Sequence, residues 1–221
     1  MKNINDVSTL KKLFKQTKPD KSVQSILSPS FRNEEIKNLH QESLLDAAVG
    51  IILFYVQNNL SVLFIERAVD NGPHSGQMAF PGGARETSDH SLIETAYREI
   101  YEEIGVEKKC LSLISDASTL YVPVSGFIVH PYVFFASTMP FTFLPNKAEV
   151  KKIYIFSVKD FYNPQVLINI NIEYKNKSYV VPSFNMGKIV IWGATAMMWN
   201  ECLYILKPLF DEQNTAARSS I

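Results

Sequence analysis

Three glutamates crowd one short stretch of the chain: Glu99, Glu102 and Glu103, in the run Arg98-Glu99-Ile100-Tyr101-Glu102-Glu103-Ile104-Gly105-Val106. On a helix turning about 100° per residue, they stand at i, i+3 and i+4 and share one face. Carboxylates this close repel one another. A hard divalent cation removes that cost, because magnesium and manganese take carboxylate oxygen as ligand. A glutamate pair on a helix is more often a plain solvated acidic face. The surroundings argue for more. Pro81-Gly82-Gly83 makes a turn a short loop upstream, Arg98 is placed to pair with carboxylates, and a Gly-Val step follows at once.

A helix over Ser91 to Ile104 must position these groups. Ser91 or Asp89 can cap it, Glu94 puts negative charge in its first turn, and Gly105 follows its end. Ile93, Ala96, Ile100 and Ile104 share a broad apolar face that can bury against a sheet. Upstream, Leu10, Leu13 and Phe14 recur at helical spacing within Val7 to Gln16. Thr17 to Ser43 is polar, holds Pro19 and Pro29, and reads as an arm or loop. Ala47 to Val56 and Leu60 to Ile65 read as strands around a Gln57-Asn58-Asn59 turn. Gln77 to Phe80 is a short strand ended by Pro81-Gly82-Gly83. Further strands are expected at Leu111 to Ile114, Phe127 to Ala136 and Val150 to Phe156. A hairpin turns at Lys175-Asn176-Lys177, between Val166 to Ile172 and Ser178 to Phe184. Lys188 to Trp192 is a last strand, and Ala194 to Lys207 a C-terminal helix. Such an order implies an α/β fold, a mixed sheet with helices on both faces. Residues 1–44 are expected as a helix and arm, 45–210 as the domain, and 211–221 as a polar tail.

The carboxylate run resembles the signature of the Nudix family, G-x5-E-x7-R-E-U-x-E-E-x-G-U, with U aliphatic. Arg98, Glu99, Ile100, Glu102, Glu103, Gly105 and Val106 match its second half, and Gly83 its opening glycine. The middle acid falls on Asp89, with eight residues rather than seven before Arg98. The resemblance implies a Nudix-type α/β/α sandwich. It implies that Glu99, Glu102, Glu103 and the acid at Asp89 hold Mg2+ or Mn2+, and that Arg98 orients the glutamates. It also implies that Gly82 and Gly83 let the backbone turn tightly near substrate phosphates. The reaction implied is metal-dependent hydrolysis of a diphosphate. Because members often bring a glutamate from outside this run, Glu149 is a candidate base or metal ligand, or else a surface residue.

Leu63 to Gly83 resembles a second motif, L-L-T-x-R-S-x3-R-x3-G-x3-F-P-G-G, of the coenzyme A pyrophosphatase branch. Leu63, Arg67, Gly76, Phe80, Pro81, Gly82 and Gly83 match; Ala68 replaces the serine and Gly72 the second arginine. Trp192-Gly193-Ala194-Thr195-Ala196 is also similar to that branch. The resemblance implies cleavage of coenzyme A to adenosine 3′,5′-bisphosphate and 4′-phosphopantetheine. The alternatives are a pyrophosphatase for ADP-ribose, NADH or another nucleoside diphosphate derivative, and, more remotely, a non-catalytic nucleotide-sensing module. Arg67 contacts substrate or pairs with an acid at a strand end. His74 binds substrate or is satisfied by loop backbone. Gly76, Gly82 and Gly83 are expected beside the substrate, and Tyr121 to Gly126 can line its pocket. Trp192 reads as core rather than a stacking surface.

Composition agrees with such a small-molecule enzyme. The chain has 221 residues with 22 basic and 22 acidic side chains, so no global field draws it to nucleic acid or an anionic membrane. The longest apolar run, Ala47 to Val56, is too short to span a bilayer, which takes about 20 residues. The first residues lack the apolar core of a signal peptide. Cys110 and Cys202 have no metal-ligand spacing and read as free thiols of a reducing compartment, the cytoplasm. A homodimer is compatible with all of this.

Overall fold

The computed structural model describes residues 7–37, 44–69, 72, 74–137 and 142–211. Three helices open the chain: α1 (Val7–Gln16), α2 (Lys21–Ser25) and α3 (Ser30–Lys37). Next come β1 (Leu45–Val56), β2 (Asn59–Arg67), β3 (Met78–Ala79), β4 (Gly82–Ala84) and α4 (Leu92–Ile104). Then follow β5 (Leu111–Asp116), β6 (Leu120–Val122), β7 (Phe127–Ala136), β8 (Val150–Ser157), β9 (Leu167–Tyr174), β10 (Lys177–Met186), β11 (Ile189–Trp192) and α5 (Gly193–Leu206).

The main sheet runs β3-β2-β1-β7-β5, with β4 on β1, β6 on β7 and β8 on β2. β1 and β7 are parallel, from Leu45↔Phe127 to Leu53↔Phe135, while β1 and β2 are antiparallel, so the sheet is mixed. Strand periodicity explains how it is covered. Ile51 and Leu53 point into one core with Trp199, Cys202 and Leu206 of α5, whereas Ala48, Ile52 and Phe54 point into another with Ala96, Ile100 and Ile104 of α4. A strand buried on both faces must read as a continuous apolar run, as Ile51 to Phe54 does. Burying Ile100 and Ile104 contributes roughly 1.5–3 kcal/mol each. This is the expected α/β/α sandwich.

β9, β10 and β11 form a separate antiparallel sheet in hairpin register. The β1–β2 and β9–β10 hairpins each use two residues with positive φ: Gln57 and Asn58 (48° and 66°), and Lys175 and Asn176 (48° and 61°). That is the backbone a right-twisted two-residue turn needs.

The stretch expected to be an arm or loop, Thr17 to Ser43, instead contains α2 and α3. Asp20 caps α2 by accepting from the Ser22 N–H at 2.8 Å. The two helices are only five and eight residues long, too short for a helical period to stand out in sequence. Glu201, buried on α5, ties the segment down: it accepts from Gln24 Nε2 at 3.0 Å, from the Ser118 N–H at 3.0 Å and from Ser118 Oγ at 2.8 Å. A buried carboxylate is tolerated when its oxygens are satisfied in this way. The expected tail beyond Asp211 lies outside the described residues. No helix among the described residues is long and apolar enough to cross a membrane.

Candidate functional site

α4 starts where Ser91 accepts from the Glu94 N–H and ends where Gly105, at φ 74°, adopts the left-handed backbone that favours glycine. Ala96, Ile100 and Ile104 fix its inner face, which leaves the glutamates at the sheet's edge beside β4.

Glu103 is 1% exposed and Glu99 8% exposed. Glu103 Oε2 accepts the Gly82 N–H at 3.0 Å. Burial pushes the Glu103 carboxyl up to about 8 despite that hydrogen bond. Burial also raises Glu99, against the pull of Arg98.

Glu149 joins them. One carboxylate oxygen from each of Glu99, Glu103 and Glu149 lies within 4.8 Å of the other two. Its approach depends on the end of α4, whose last carbonyls lack helical partners. Leu144 N–H donates to the Ile104 carbonyl at 3.1 Å and Asn146 N–H to that of Glu103 at 3.0 Å. The segment leading to Glu149 is thereby docked on the helix, and the Glu149 carbonyl accepts the Ala68 N–H at 2.7 Å.

Arg98 organises the outer acids. Its Nη1 donates to Glu99 Oε1 and to Glu102 Oε2, both at 2.9 Å, and its Nη2 to the Ala84 carbonyl at 3.0 Å. Asp89 takes the other edge, with Oδ1 at 3.1 Å from Nε and Oδ2 at 3.1 Å from Nη2. Asp89 Oδ2 also accepts from the Glu86 N–H and from Thr95 Oγ1, each at 2.9 Å. The Arg98 bonds, chiefly, hold the Asp89 carboxyl down at about 2, and Asp89 in turn raises Arg98. Asp89 and Glu102, both expected as metal ligands, bond to Arg98, as Glu99 also does, and neither is within the group of Glu99, Glu103 and Glu149.

The glycine pair forms β4, antiparallel to β1 through Ala48↔Gly83 and Val49↔Gly82, and is not the tight turn expected. The physical need for glycine is space. A Cβ on Gly82 would sit 2.6 Å from Val49 Cα, and one on Gly83 2.7 Å from Glu99 Cδ. The carboxylate of Glu99 fills the place a side chain at residue 83 would take.

A cleft of about 690 Å³ opens beside β4. Arg67, His74, Gly82 and Gly83 line it, as do Tyr121 to Ser125. The carboxylates border it through the glycine pair and are not in its lining. Arg67 has no ion pair among the described residues, and its charge acts on Glu103. His74 Nδ1 lies 3.2 Å from Gln77 Oε1, and burial lowers its basicity. Gly76 does not line the cleft; with φ 68° it closes the turn by donating to the Ala68 carbonyl at 3.3 Å. Trp192, expected in the core, is half-buried in the cleft wall, because it ends β11 just where α5 begins. Phe31, Arg32 and Tyr174 also line the cleft and were not anticipated. Each reaches it through contacts between segments distant in the chain, which leave no local pattern.

The donor set suits a hard cation: three carboxylates, two of them withdrawn from water.

Residues 44–175 match the family profile described as NUDIX domain. The Pectobacterium atrosepticum protein named Uncharacterized Nudix hydrolase NudL is 30% identical over 161 residues, covering 73% of this chain and 81% of that protein. Mitochondrial coenzyme A diphosphatase NUDT8 of Mus musculus is 29% identical over 178 residues, covering 77% of this chain and 82% of that protein. A crystal structure of a MutT/nudix family protein from Enterococcus faecalis shares the fold, with a TM-score of 0.50 at 14% identity, over 85% of this chain and 73% of that one.

Proposed function

This chain belongs to the Nudix family of hydrolases, and on that premise we propose that it cleaves the diphosphate of coenzyme A or its derivatives, giving adenosine 3′,5′-bisphosphate and 4′-phosphopantetheine. The observation that carries the reading is the group Glu99, Glu103 and Glu149 bordering a cleft lined by Arg67, Gly82 and Gly83. Likeness to a coenzyme A diphosphatase supports the substrate. The two free cysteines, Cys202 buried and Cys110 partly so, fit a reducing compartment, and the cytoplasm is the location we propose.

Glu99, Glu103 and Glu149 would hold Mg2+ or Mn2+, with Glu102 adjacent on the Arg98 hinge. Such a cation, when bound, neutralises diphosphate charge and lowers the pKa of water. The rest falls to the chain's own groups. Gly82 N–H keeps one Glu103 oxygen in place, and Arg98, clamped by Asp89, keeps Glu99 and Glu102 in place. Arg67 draws the diphosphate toward the glutamates. Glu149 is the exposed member of the three and takes the proton of the attacking water. A bond forms from water oxygen to one phosphorus, the phosphoanhydride bond opposite breaks, and the second phosphate leaves as a monoester.

A second reading, hydrolysis of ADP-ribose, NADH or a related dinucleotide, is favoured by one observation. Gly72 lines the cleft and carries no side chain where the coenzyme A motif has arginine.

Product analysis tests both readings, with coenzyme A, NADH and ADP-ribose offered in parallel under magnesium or manganese, with and without chelator. Adenosine 3′,5′-bisphosphate formed at the highest efficiency, and lost in chelator, is the expected result. Turnover of NADH or ADP-ribose alone would sink the coenzyme A reading and leave the reaction class standing.

A further inference from the structure

The cleft has a second wall, made by α3, the turn after β6 and the β9–β10 hairpin. Phe31 stacks on Tyr174 with ring centres 4.6 Å apart, and Glu35 pairs with Lys175 at 2.8 Å, which fastens α3 to the hairpin tip. Arg32, half-buried, stands in this wall. Its Nε and Nη2 donate to the Tyr121 carbonyl at 3.3 and 2.9 Å.

A guanidinium has five N–H donors in a planar fork, so that carbonyl leaves most of them unused. Among the described residues no carboxylate pairs with Arg32. Glu35, on the same helix, is engaged by Lys175. Glu173 also lines the cleft and makes no ion pair among the described residues. Burial works against the charge of Arg32, and among the described residues no ion pair offsets it. A partly desolvated cation without a counter-ion is costly, and an anion in the cleft removes that cost. Gly72 lines the same cleft at the position where the coenzyme A motif supplies its second arginine. Here the cation comes from α3 instead.

We propose that Arg32 forms a subsite for a second phosphate of the substrate, outside the diphosphate that is cleaved. The identity of that phosphate, the ribose 3′-phosphate, rests on the coenzyme A reading. The two arginines then divide the work: Arg67, whose charge acts on Glu103, serves the diphosphate, and Arg32 serves the monoester.

The test is the ratio of kcat/KM for coenzyme A over 3′-dephospho-coenzyme A, in the wild type, Arg32→Gln and Arg32→Lys. Arg32→Gln is expected to lower that ratio about tenfold or more, mostly through KM for coenzyme A. Arg32→Lys keeps the charge without the fork, so about a threefold fall is expected; it is read alone should Arg32→Gln fail to fold. An unchanged ratio, with both substrates impaired equally, would mean that Arg32 only braces Tyr121, and would overturn the subsite. If the wild type turns over neither compound, the coenzyme A reading fails, and calorimetric binding of adenosine 3′,5′-bisphosphate against adenosine 5′-monophosphate decides. A wild-type preference of about tenfold for the bisphosphate that Arg32→Gln abolishes keeps the subsite. Equal binding of the two nucleotides by the wild type overturns it.

Discussion

The α4 side of the cleft and the α3 side present charge in opposite ways. Around α4, acids outnumber cations: Arg98 touches Asp89, Glu99 and Glu102, and Glu103 is buried with a backbone N–H on one oxygen and no ion pair among the described residues. Around the rest of the cleft, Arg67 and Arg32 have no acid partner among the described residues. One side gathers carboxylates that a cation would relieve; the other holds two arginines without an ion pair beside Glu35, which Lys175 engages, and Glu173. A metal-bound, multiply phosphorylated ligand satisfies both at once. The contrast teaches that the two sides suit different parts of one ligand, the carboxylates a cation and the arginines phosphate.

The largest expected effect breaks the acidic side. Glu103→Gln should lower kcat roughly a thousandfold. It should cost the metal-free protein no stability at neutral pH, because Gln resembles the protonated acid and still accepts the Gly82 N–H. A near wild-type rate would remove Glu103 from the machinery. Gly83→Ala comes next. The added Cβ meets the Glu99 carboxylate, so kcat should fall roughly ten- to a hundredfold while the melting temperature shifts little. Unfolding without loss of rate in the folded fraction would show that the glycine serves only packing.

The acidic side is sharpened by pH. The Glu103 carboxyl is raised to about 8 from an ordinary 4.5. Between those values the folded protein holds a proton that the unfolded chain has released. The contribution of Glu103 to metal-free stability is therefore fully present below about 4.5 and is lost as pH rises through 8. Metal uptake must displace that proton, so apparent affinity should rise by up to about tenfold per pH unit below 8, with proton release seen by calorimetry in buffers of different ionisation enthalpy. Affinity independent of pH would contradict the buried, protonated acid. The smallest effect probes the basic side. Gly72→Arg restores a cation at the cleft and should lower KM for coenzyme A about threefold. No change would mean that Arg32 and Arg67 already complete the charge pairing.

Much of the fold was legible from local pattern. β7 spans Phe127–Ala136 as its apolar run implied, and α5 begins one residue before the expected Ala194. α4 lies between the Ser91 cap and Gly105, since capping chemistry and a 3.6-residue period both belong to neighbours in the chain. α2 and α3 were not legible, because five and eight residues held by Gln24–Glu201, Arg32–Tyr121 and Phe31–Tyr174 contacts owe their helicity to packing. Gly82 and Gly83 were legible as important and misread as to reason: an extended strand without side chains and a flexible turn look alike in sequence. Trp192 was misplaced in the core because hydropathy cannot tell a buried ring from a cleft wall.

The sequence by itself determined which acids share a helical face, that an arginine and a glycine pair attend them, and where that helix starts and stops. A helix's geometry converts spacing directly into position. Only the tertiary structure decided that Glu149 lies beside Glu99 and Glu103 while Asp89 and Glu102 bond to Arg98. It alone decided that Arg32, from a segment without periodicity, faces the same cleft as Arg67. Those choices depend on which carbonyls at the end of α4 remain unpaired and on how α3 packs against the β9–β10 hairpin, contacts between residues too far apart in the chain for any local rule to relate.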